Sequence, residues 1–144
     1  MVEQDTIKLL RECDAGVKMG VSSISDVLDY VHSEELKTVL TDCKAEHEKI
    51  DREVNQLLEK YQDDGKSPNP MAKAMSFAKT SVKLAMKESD ATIADLMTDG
   101  CNMGVKSLAK YLNQYKAADE TSKDIAKRLI DLERQLTLDV QQYL

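Results

Sequence analysis

Helical periodicity of apolar residues runs through four long segments of the chain. It is clearest in the second and third segments, where apolar or small residues recur at spacings of three and four, as on the buried face of a packed helix. In the second segment these positions are Leu36, Leu40, Cys43, His47, Ile50, Val54, Leu57 and Tyr61, and in the third they are Ile93, Met97, Gly100, Gly104, Leu108, Tyr111 and Tyr115. The first segment covers about residues 4–31 and the fourth about residues 119–144. The pattern predicts an all-α fold.

Short junctions join the helices in pairs. Ser33 and Asp119 each precede a glutamate and are predicted helix N-caps, because their side chains can accept hydrogen bonds from the free N–H groups of the first turn. Junctions of this length make each pair an antiparallel hairpin. We therefore expect one bundle domain over residues 1–144, with a hairpin at about 4–62, a crossover at about 63–88 and a second hairpin at about 89–144.

The crossover has a different composition from the hairpins. It opens with a turn cluster at residues 63–70, which holds both prolines of the chain. Asn69 as an N-cap and Pro70 at the first helical position then predict a short fifth helix over about residues 71–87. The two hairpins are thus expected to be joined by a long connection with a helix of its own.

The two hairpins resemble each other in sequence. An offset of 84 residues aligns positions 16–24 with 100–108, and five of the nine residue pairs are identical. An offset of 86 residues aligns positions 53–58 with 139–144. Both matches occur in the same order, so the sequence predicts an internal duplication.

Four of the five glycines lie inside predicted helices, at Gly16, Gly20, Gly100 and Gly104. Glycine inside a helix costs about 0.5–1 kcal/mol relative to alanine, so a compensating role is expected. A spacing of four residues removes side chains from one helix face and allows a second helix to cross closely. We predict that the first and third helices approach each other most closely at these glycines. The alternative is a ligand-binding role.

His47 lies on the predicted buried face of the second helix, and the offset of 86 residues pairs it with Glu133. An unpaired polar side chain in the middle of a bundle is costly to desolvate, so the two are expected to meet. Met19 and Met103 are equivalent at the offset of 84 residues and are expected near the same level. Two interpretations stay open. One is a satisfied polar pair sealed by methionines, and the other is a soft-metal or small-ligand site built from His47, Glu133, Met19, Met103, Cys43 and Cys101.

Three stretches carry a family resemblance: LLRECDAGVKMG, LKTVLTDCKAEHEKIDRE and IADLMTDGCNMGVKSL. With duplicated hairpins around a polar layer, the chain resembles the ferritin-like superfamily of four-helix bundles. It is most similar to small uncharacterised bacterial proteins of that superfamily whose crossover carries a short helix. The resemblance implies a ferritin-like fold, and active members hold two iron or manganese ions through Glu on two helices and Glu-x-x-His on the other two.

The chain departs from that ligand pattern. Lys44 stands three residues before His47 and Ile130 three residues before Glu133, so neither helix carries Glu-x-x-His. A di-iron centre needs several oxygen ligands together with imidazoles. We therefore predict no catalytic residue, no metal and no cofactor, and a non-enzymatic bundle with a structural, interaction or stress-associated role.

Composition narrows the expected partners and location. The net charge of −6 argues against nucleic-acid binding, and no apolar run reaches the length of a membrane span. Three cysteines, an odd number without disulfide spacing, favour a reducing, cytoplasmic setting, as does an N-terminus without the pattern of a signal peptide. Tyrosines towards the helix ends predict a homodimer or contact with another protein; they are Tyr30, Tyr111, Tyr115 and Tyr143.

Overall fold

The computed structural model describes residues 2–66 and 89–144. Four α-helices make up most of these residues, and no strand occurs among them. The helices are α1 (Gln4–Leu28), α2 (Glu34–Lys60), α3 (Asp90–Gln114) and α4 (Glu120–Val140), and a short 3₁₀ turn follows at Gln141–Tyr143. For these residues, the prediction of an all-α fold with four long helices is confirmed. The predicted fifth helix, residues 71–87, lies outside the described residues.

Side-chain caps fix the starts of three helices. The Ser33 hydroxyl accepts a hydrogen bond from the Leu36 N–H, and the Asp119 carboxylate accepts one from the Ser122 N–H, as predicted. Ser89 caps α3 in the same way. Two helix ends differ from the prediction: α1 stops at Leu28, because the next N–H groups bond in a tighter turn, and the last residues of the chain form the 3₁₀ turn instead of extending α4.

Hydrogen bonds between the helix ends establish the direction of each helix. The Asp90 carboxylate at the start of α3 accepts from the N–H groups of His32 and Ser33, in the turn between α1 and α2. At the opposite end of the molecule, the Thr6 hydroxyl at the start of α1 accepts from the N–H of Asp119, in the turn between α3 and α4. Therefore α2 and α3 run parallel to each other, and α1 and α3 run antiparallel. Each end of the molecule thus has a turn of one hairpin tied to the first helical turn of the other.

The apolar core is divided into two clusters. The first core cluster joins the start of α1 and α4 to the ends of α2 and α3, and it contains Leu9, Leu10, Cys13, Val17, Ile50, Val54, Leu58, Leu108, Ala118, Ile125, Ala126, Leu129 and Ile130. The second core cluster lies at the other end and contains Ile24, Val27, Leu36, Leu40, Cys43, Ile93, Ala94, Leu96, Met97, Cys101, Leu136 and Val140. One predicted position is wrong, since Cys101 is buried rather than Gly100. Leu57 packs against the first core cluster as predicted, but Leu58 is more deeply buried.

Residues 62–66, here called the strap, fold back from the end of α2 onto α1. A Schellman motif begins the strap: Gln62 has a positive φ of 58°, and the Asp63 N–H donates to the carbonyl of Leu58. Arg11 holds Asp63 through two hydrogen bonds of 2.9 and 2.7 Å, and this guanidinium lowers the pKa of the Asp63 carboxyl. Glu12 accepts a hydrogen bond of 2.6 Å from the ammonium group of Lys66.

Asp14 is the buried residue of α1 that the strap contacts. Its side chain is only 1% exposed, and its carboxylate accepts from the backbone N–H of Lys66 at 2.9 Å and pairs with Lys18. Gly65 passes directly over this carboxylate with a φ of 78°, so a side chain there would be both strained and in collision with Asp14. These contacts fix where the chain leaves the first hairpin.

None of the described helices combines the length and apolar character needed to cross a lipid bilayer.

Candidate functional site

A layer of four residues, one from each helix, lies between the two core clusters. We call Gly20, His47, Gly104 and Glu133 the polar layer. Along every helix, residues of one core cluster precede the layer residue and residues of the other cluster follow it. The two side chains of the layer are buried, with His47 only 1% and Glu133 8% exposed. The layer is therefore a polar break in the middle of an apolar core.

His47 and Glu133 are joined by a hydrogen bond, as the sequence predicts. The Nε2 atom of His47 lies 2.9 Å from Oε1 of Glu133. Its Nδ1 atom lies 2.8 Å from the backbone carbonyl oxygen of Cys43, one turn earlier on α2. This bond joins α2 to α4, and so it links the two hairpins at the centre of the molecule.

The surroundings of the His47 ring favour its protonated form. A carbonyl oxygen can only accept a hydrogen bond, and an ionised carboxylate can only accept as well, so both ring nitrogens are placed to donate. Burial alone lowers the pKa of His47, but its hydrogen bonds with the side chains of Cys43 and Glu133 and the charge of Glu133 outweigh burial and raise this pKa to about 10. At neutral pH the layer therefore contains an imidazolium paired with a carboxylate.

Two of the three free cysteines flank this pair. The Cys43 Sγ atom lies 3.6 Å from Nδ1 of His47. Cys101 lies on the Glu133 side, where burial and the charge of Glu133 raise the pKa of its thiol. The sequence therefore placed Cys43 and Cys101 correctly beside the layer, and both are buried.

The glycines of the layer provide space for the two polar side chains. A Cβ atom added to Gly20 would lie 2.6 Å from Cδ2 and 2.7 Å from Nε2 of His47. A Cβ atom added to Gly104 would lie 3.5 Å from the carboxyl carbon of Glu133, which is an ordinary contact. Each glycine thus faces the polar side chain of its own hairpin, and Gly20 leaves no room for a larger residue.

The glycines do not face the helix that the predicted close crossing of α1 and α3 requires. The nearest atoms to Gly20 and Gly104 belong to α2 and α4, and Gly16 faces Leu129 of α4 at 3.8 Å. Gly100 is exposed, and no atom of the described residues lies within 4 Å of a Cβ placed there. The physical reason is the helical period, which turns Gly100 outwards and Cys101 inwards between Met97 and Leu108.

The methionines do not seal the layer as a pair. Met103 is 71% exposed, and Met19 is half-buried. On α1 and α3, the level of His47 and Glu133 is occupied by the next residues, Gly20 and Gly104. The position predicted for the layer was therefore one residue too early on both helices. Across residues 2–66 and 89–144, no three His, Cys, Asp or Glu side chains are placed so that they could hold a metal ion.

The buried carboxylate of Asp14 was missed by the sequence analysis. Asp14 contacts Lys18, and both lie near Asp51, whose pKa is raised by burial and by the Asp14 carboxylate. The available signal was position: Asp14 stands four residues after the buried Leu10 and three before the buried Val17, on the apolar face of α1. An acid at such a position requires partners, and the strap supplies one of them.

Gly20→Ala is expected to destabilise the fold by about 1–3 kcal/mol, because the new methyl group overlaps the His47 ring and displaces its bond to Glu133. Gly100→Ala is the matched control, and it should stabilise the fold by roughly 0.5–1 kcal/mol, since the site is open and alanine favours the helix. Urea unfolding of both variants measures the difference. Equal stabilities would contradict the described packing of Gly20.

The stability contributed by the pair is expected to decline at alkaline pH. The pKa of His47 is raised from 6.5 to about 10, so its contribution is complete below pH 6.5 and is lost as the pH rises through 10. The difference in unfolding free energy between the wild type and a His47→Leu/Glu133→Leu variant should fall by at least about 1 kcal/mol over this range. Lysine and tyrosine titrations occur in both proteins and cancel. A difference that stays constant with pH would show that the pair holds no extra proton.

Comparison of the chain with protein-family models, with curated proteins and with solved structures found no match. A role for the chain therefore has to be inferred from its own residues, above all from the polar layer. That layer consists of one imidazole, one carboxylate and two glycines, one residue from each helix, and two thiols flank it.

Proposed function

We propose that this chain is a non-enzymatic four-helix bundle with a structural, interaction or stress-associated role. In this proposal, the polar layer holds the two hairpins together. The observation that supports this proposal is the mutual pairing of His47 and Glu133 at 2.9 Å in the centre of the core. Both side chains are buried, and the two ring nitrogens of His47 are satisfied by Glu133 and by the backbone carbonyl of Cys43.

The composition of the layer supports the absence of a di-iron centre. Such a centre needs carboxylates from all four helices and two imidazoles. Here α1 and α3 contribute Gly20 and Gly104, which have no side chain to offer, and the one carboxylate among the four residues of the polar layer is Glu133 of α4. The two charged groups of the layer form a buried ion pair, and such a pair fits a structural role better than metal binding.

A ferritin-like layout and an internal duplication are part of the same proposal. The order of two antiparallel hairpins with parallel α2 and α3 fits a bundle with one long crossover. Contacts at equivalent positions support the duplication. The offsets of 84 and 86 residues relate Gly20 to Gly104 and His47 to Glu133, and they also relate the Thr6–Asp119 hydrogen bond to the Asp90–Ser33 one.

Self-association into a homodimer, or contact with another protein, is proposed to use the exposed apolar side chains. Among the described residues, the large hydrophobic side chains that are exposed are Tyr30, Met103, Leu138 and Leu144. Tyr111 and Tyr115 instead stack on each other with ring centres 6.2 Å apart and pack against the first core cluster. A cytoplasmic location accords with three free thiols.

Metal analysis separates this proposal from a soft-metal or small-ligand site at the layer. Protein purified without chelator should carry no stoichiometric metal, and Zn(II), Fe(II) or Cu(I) should leave the melting temperature of the wild type and of a Cys43→Ser control equally unchanged. A metal that raises the melting temperature of the wild type, but not of the Cys43→Ser or His47→Gln protein, would establish the ligand site and overturn the proposal.

A further inference from the structure

The middle of α1 has no exposed side, unlike α2 and α4. From residue 12 to residue 24, every residue of α1 is buried or half-buried, whereas α2 and α4 have at least one exposed residue in each turn. Four half-buried residues share the side of α1 that faces away from the apolar core; we call them the outer face of α1, and they are Ala15, Met19, Ser22 and Asp26. Such positions are normally exposed, so the outer face has the burial of a covered surface.

The outer face also carries few charges. Lys18 is the one charged residue between positions 15 and 25, and it pairs with the buried carboxylate of Asp14. A helix side that faces water usually carries more charged residues than this. Small and apolar side chains therefore form this side of α1, and they suit contact with protein better than contact with water.

The strap brings the chain to one end of the outer face. It crosses α1 from Asp14, which accepts the backbone N–H of Lys66, to Glu12, which holds the ammonium group of Lys66. Tyr111 of α3 lies on this same side of α1, since burial and the Glu12 carboxylate raise its pKa. The chain therefore leaves the strap one helical turn before Ala15.

The chain returns at the other end of the outer face. Ser89 caps α3, and the next residue, Asp90, accepts hydrogen bonds from the turn between α1 and α2. From Glu12 to the end of α1 the helix rises by about 24 Å, and residues 67–88 would rise by about 33 Å even as an α-helix. The segment between these two points is therefore long enough to follow the outer face from end to end.

We propose that the outer face of α1 is a docking surface for residues 67–88 of the same chain. Both ends of this segment are held beside the face, so its local concentration there is high, and this favours it over a second copy of the chain. The outer side of α3 is a poorer surface, because Met103 is 71% exposed there. The docking does not depend on the role proposed for the bundle, and it leaves Met103 and Tyr30 for contacts with another molecule.

The chemistry of the segment matches that of the surface. Its apolar residues recur at helical spacings, at Met71, Met75, Ala78, Val82 and Ala85. Its lysines fall between them, at Lys73, Lys79, Lys83 and Lys87. Asp26 lies on the outer face, and Asp95 and Asp99 lie on the exposed side of the neighbouring α3. A small, apolar surface bordered by carboxylates thus meets an apolar segment with basic flanks.

Zero-length cross-linking of the wild-type protein tests the docking. A carbodiimide joins a lysine amine to a carboxylate in contact with it, and mass spectrometry of the peptides identifies each pair. Lysines of residues 67–88 should be joined to Asp26 or Asp99, and not to Asp124, an exposed carboxylate on α4. In a mixture of isotope-labelled and unlabelled protein, these pairs should come from single chains.

Three results of the cross-linking would overturn the proposal. Pairs at Asp26 that combine labelled and unlabelled chains would show that a second copy covers the face. Pairs between the segment and Asp124 would place the segment elsewhere on the bundle. The absence of any pair between the segment and α1 or α3 would show that the segment does not dock on this side.

A lysine placed in the outer face should displace the segment. In the Ser22→Lys protein, hydrogen–deuterium exchange of residues 67–88 should accelerate roughly tenfold while exchange within α4 stays unchanged. Thr41→Lys is the matched control, since it adds the same side chain at an exposed position of α2 and should leave this exchange as in the wild type. Equal exchange of the segment in the two variants would contradict the docking. If the Ser22→Lys protein does not fold, the wild-type cross-links decide.

Discussion

Two opposite charges in the middle of an apolar core are the constraint on which the rest of this structure depends. Removing an imidazolium or a carboxylate from water costs several kcal/mol, and the cost is offset only if the two groups meet with good geometry and their other hydrogen bonds are satisfied. His47 and Glu133 come from different hairpins, so they meet only when α2 and α4 pack in one register. A slide of either helix by one turn would leave both groups buried beside apolar side chains.

The helices around the pair are shaped by the same requirement. Helix α1 carries a helix-weakening glycine at position 20, Gly20, because the imidazole of His47 needs the space that a side chain would occupy. The core divides into two apolar clusters because the layer lies between them. At the ends of the molecule, the side chains of Asp90 and Thr6 accept hydrogen bonds from the turn of the opposite hairpin, and these bonds add a second set of links in the same register. The ion pair and these end contacts therefore specify one arrangement of the hairpins.

The sequence contained much of this information but not all of it. Periodicity located the four helices, and the capping residues Ser33 and Asp119 located two of their starts, because both signals are local. The His47–Glu133 pair could be predicted from the offset of 86 residues and from the position of His47 on an apolar helix face, because a buried polar side chain requires a partner. Fine placement around the helix axis could not be predicted, because a difference of one residue rotates a side chain by about 100°. That rotation is why Met103 and Gly100 point outwards while Cys101 is buried.

The sequence predicted a turn at residues 63–70 but not the contacts of the strap, since those of Arg11, Glu12 and Asp14 with residues 63–66 bridge more than fifty positions in the sequence. Only the position of Asp14 on an apolar face suggested that a partner was needed.

A double-mutant cycle on the ion pair tests the central claim most directly. It compares the unfolding free energies of the wild type, His47→Leu, Glu133→Leu and the double variant at pH 7. If the pair sets the register of the hairpins, each single change leaves an unpaired buried group, and the double change recovers much of the loss. The coupling energy should then be roughly 2–3 kcal/mol. Additive effects, with a coupling energy near zero, would contradict the account.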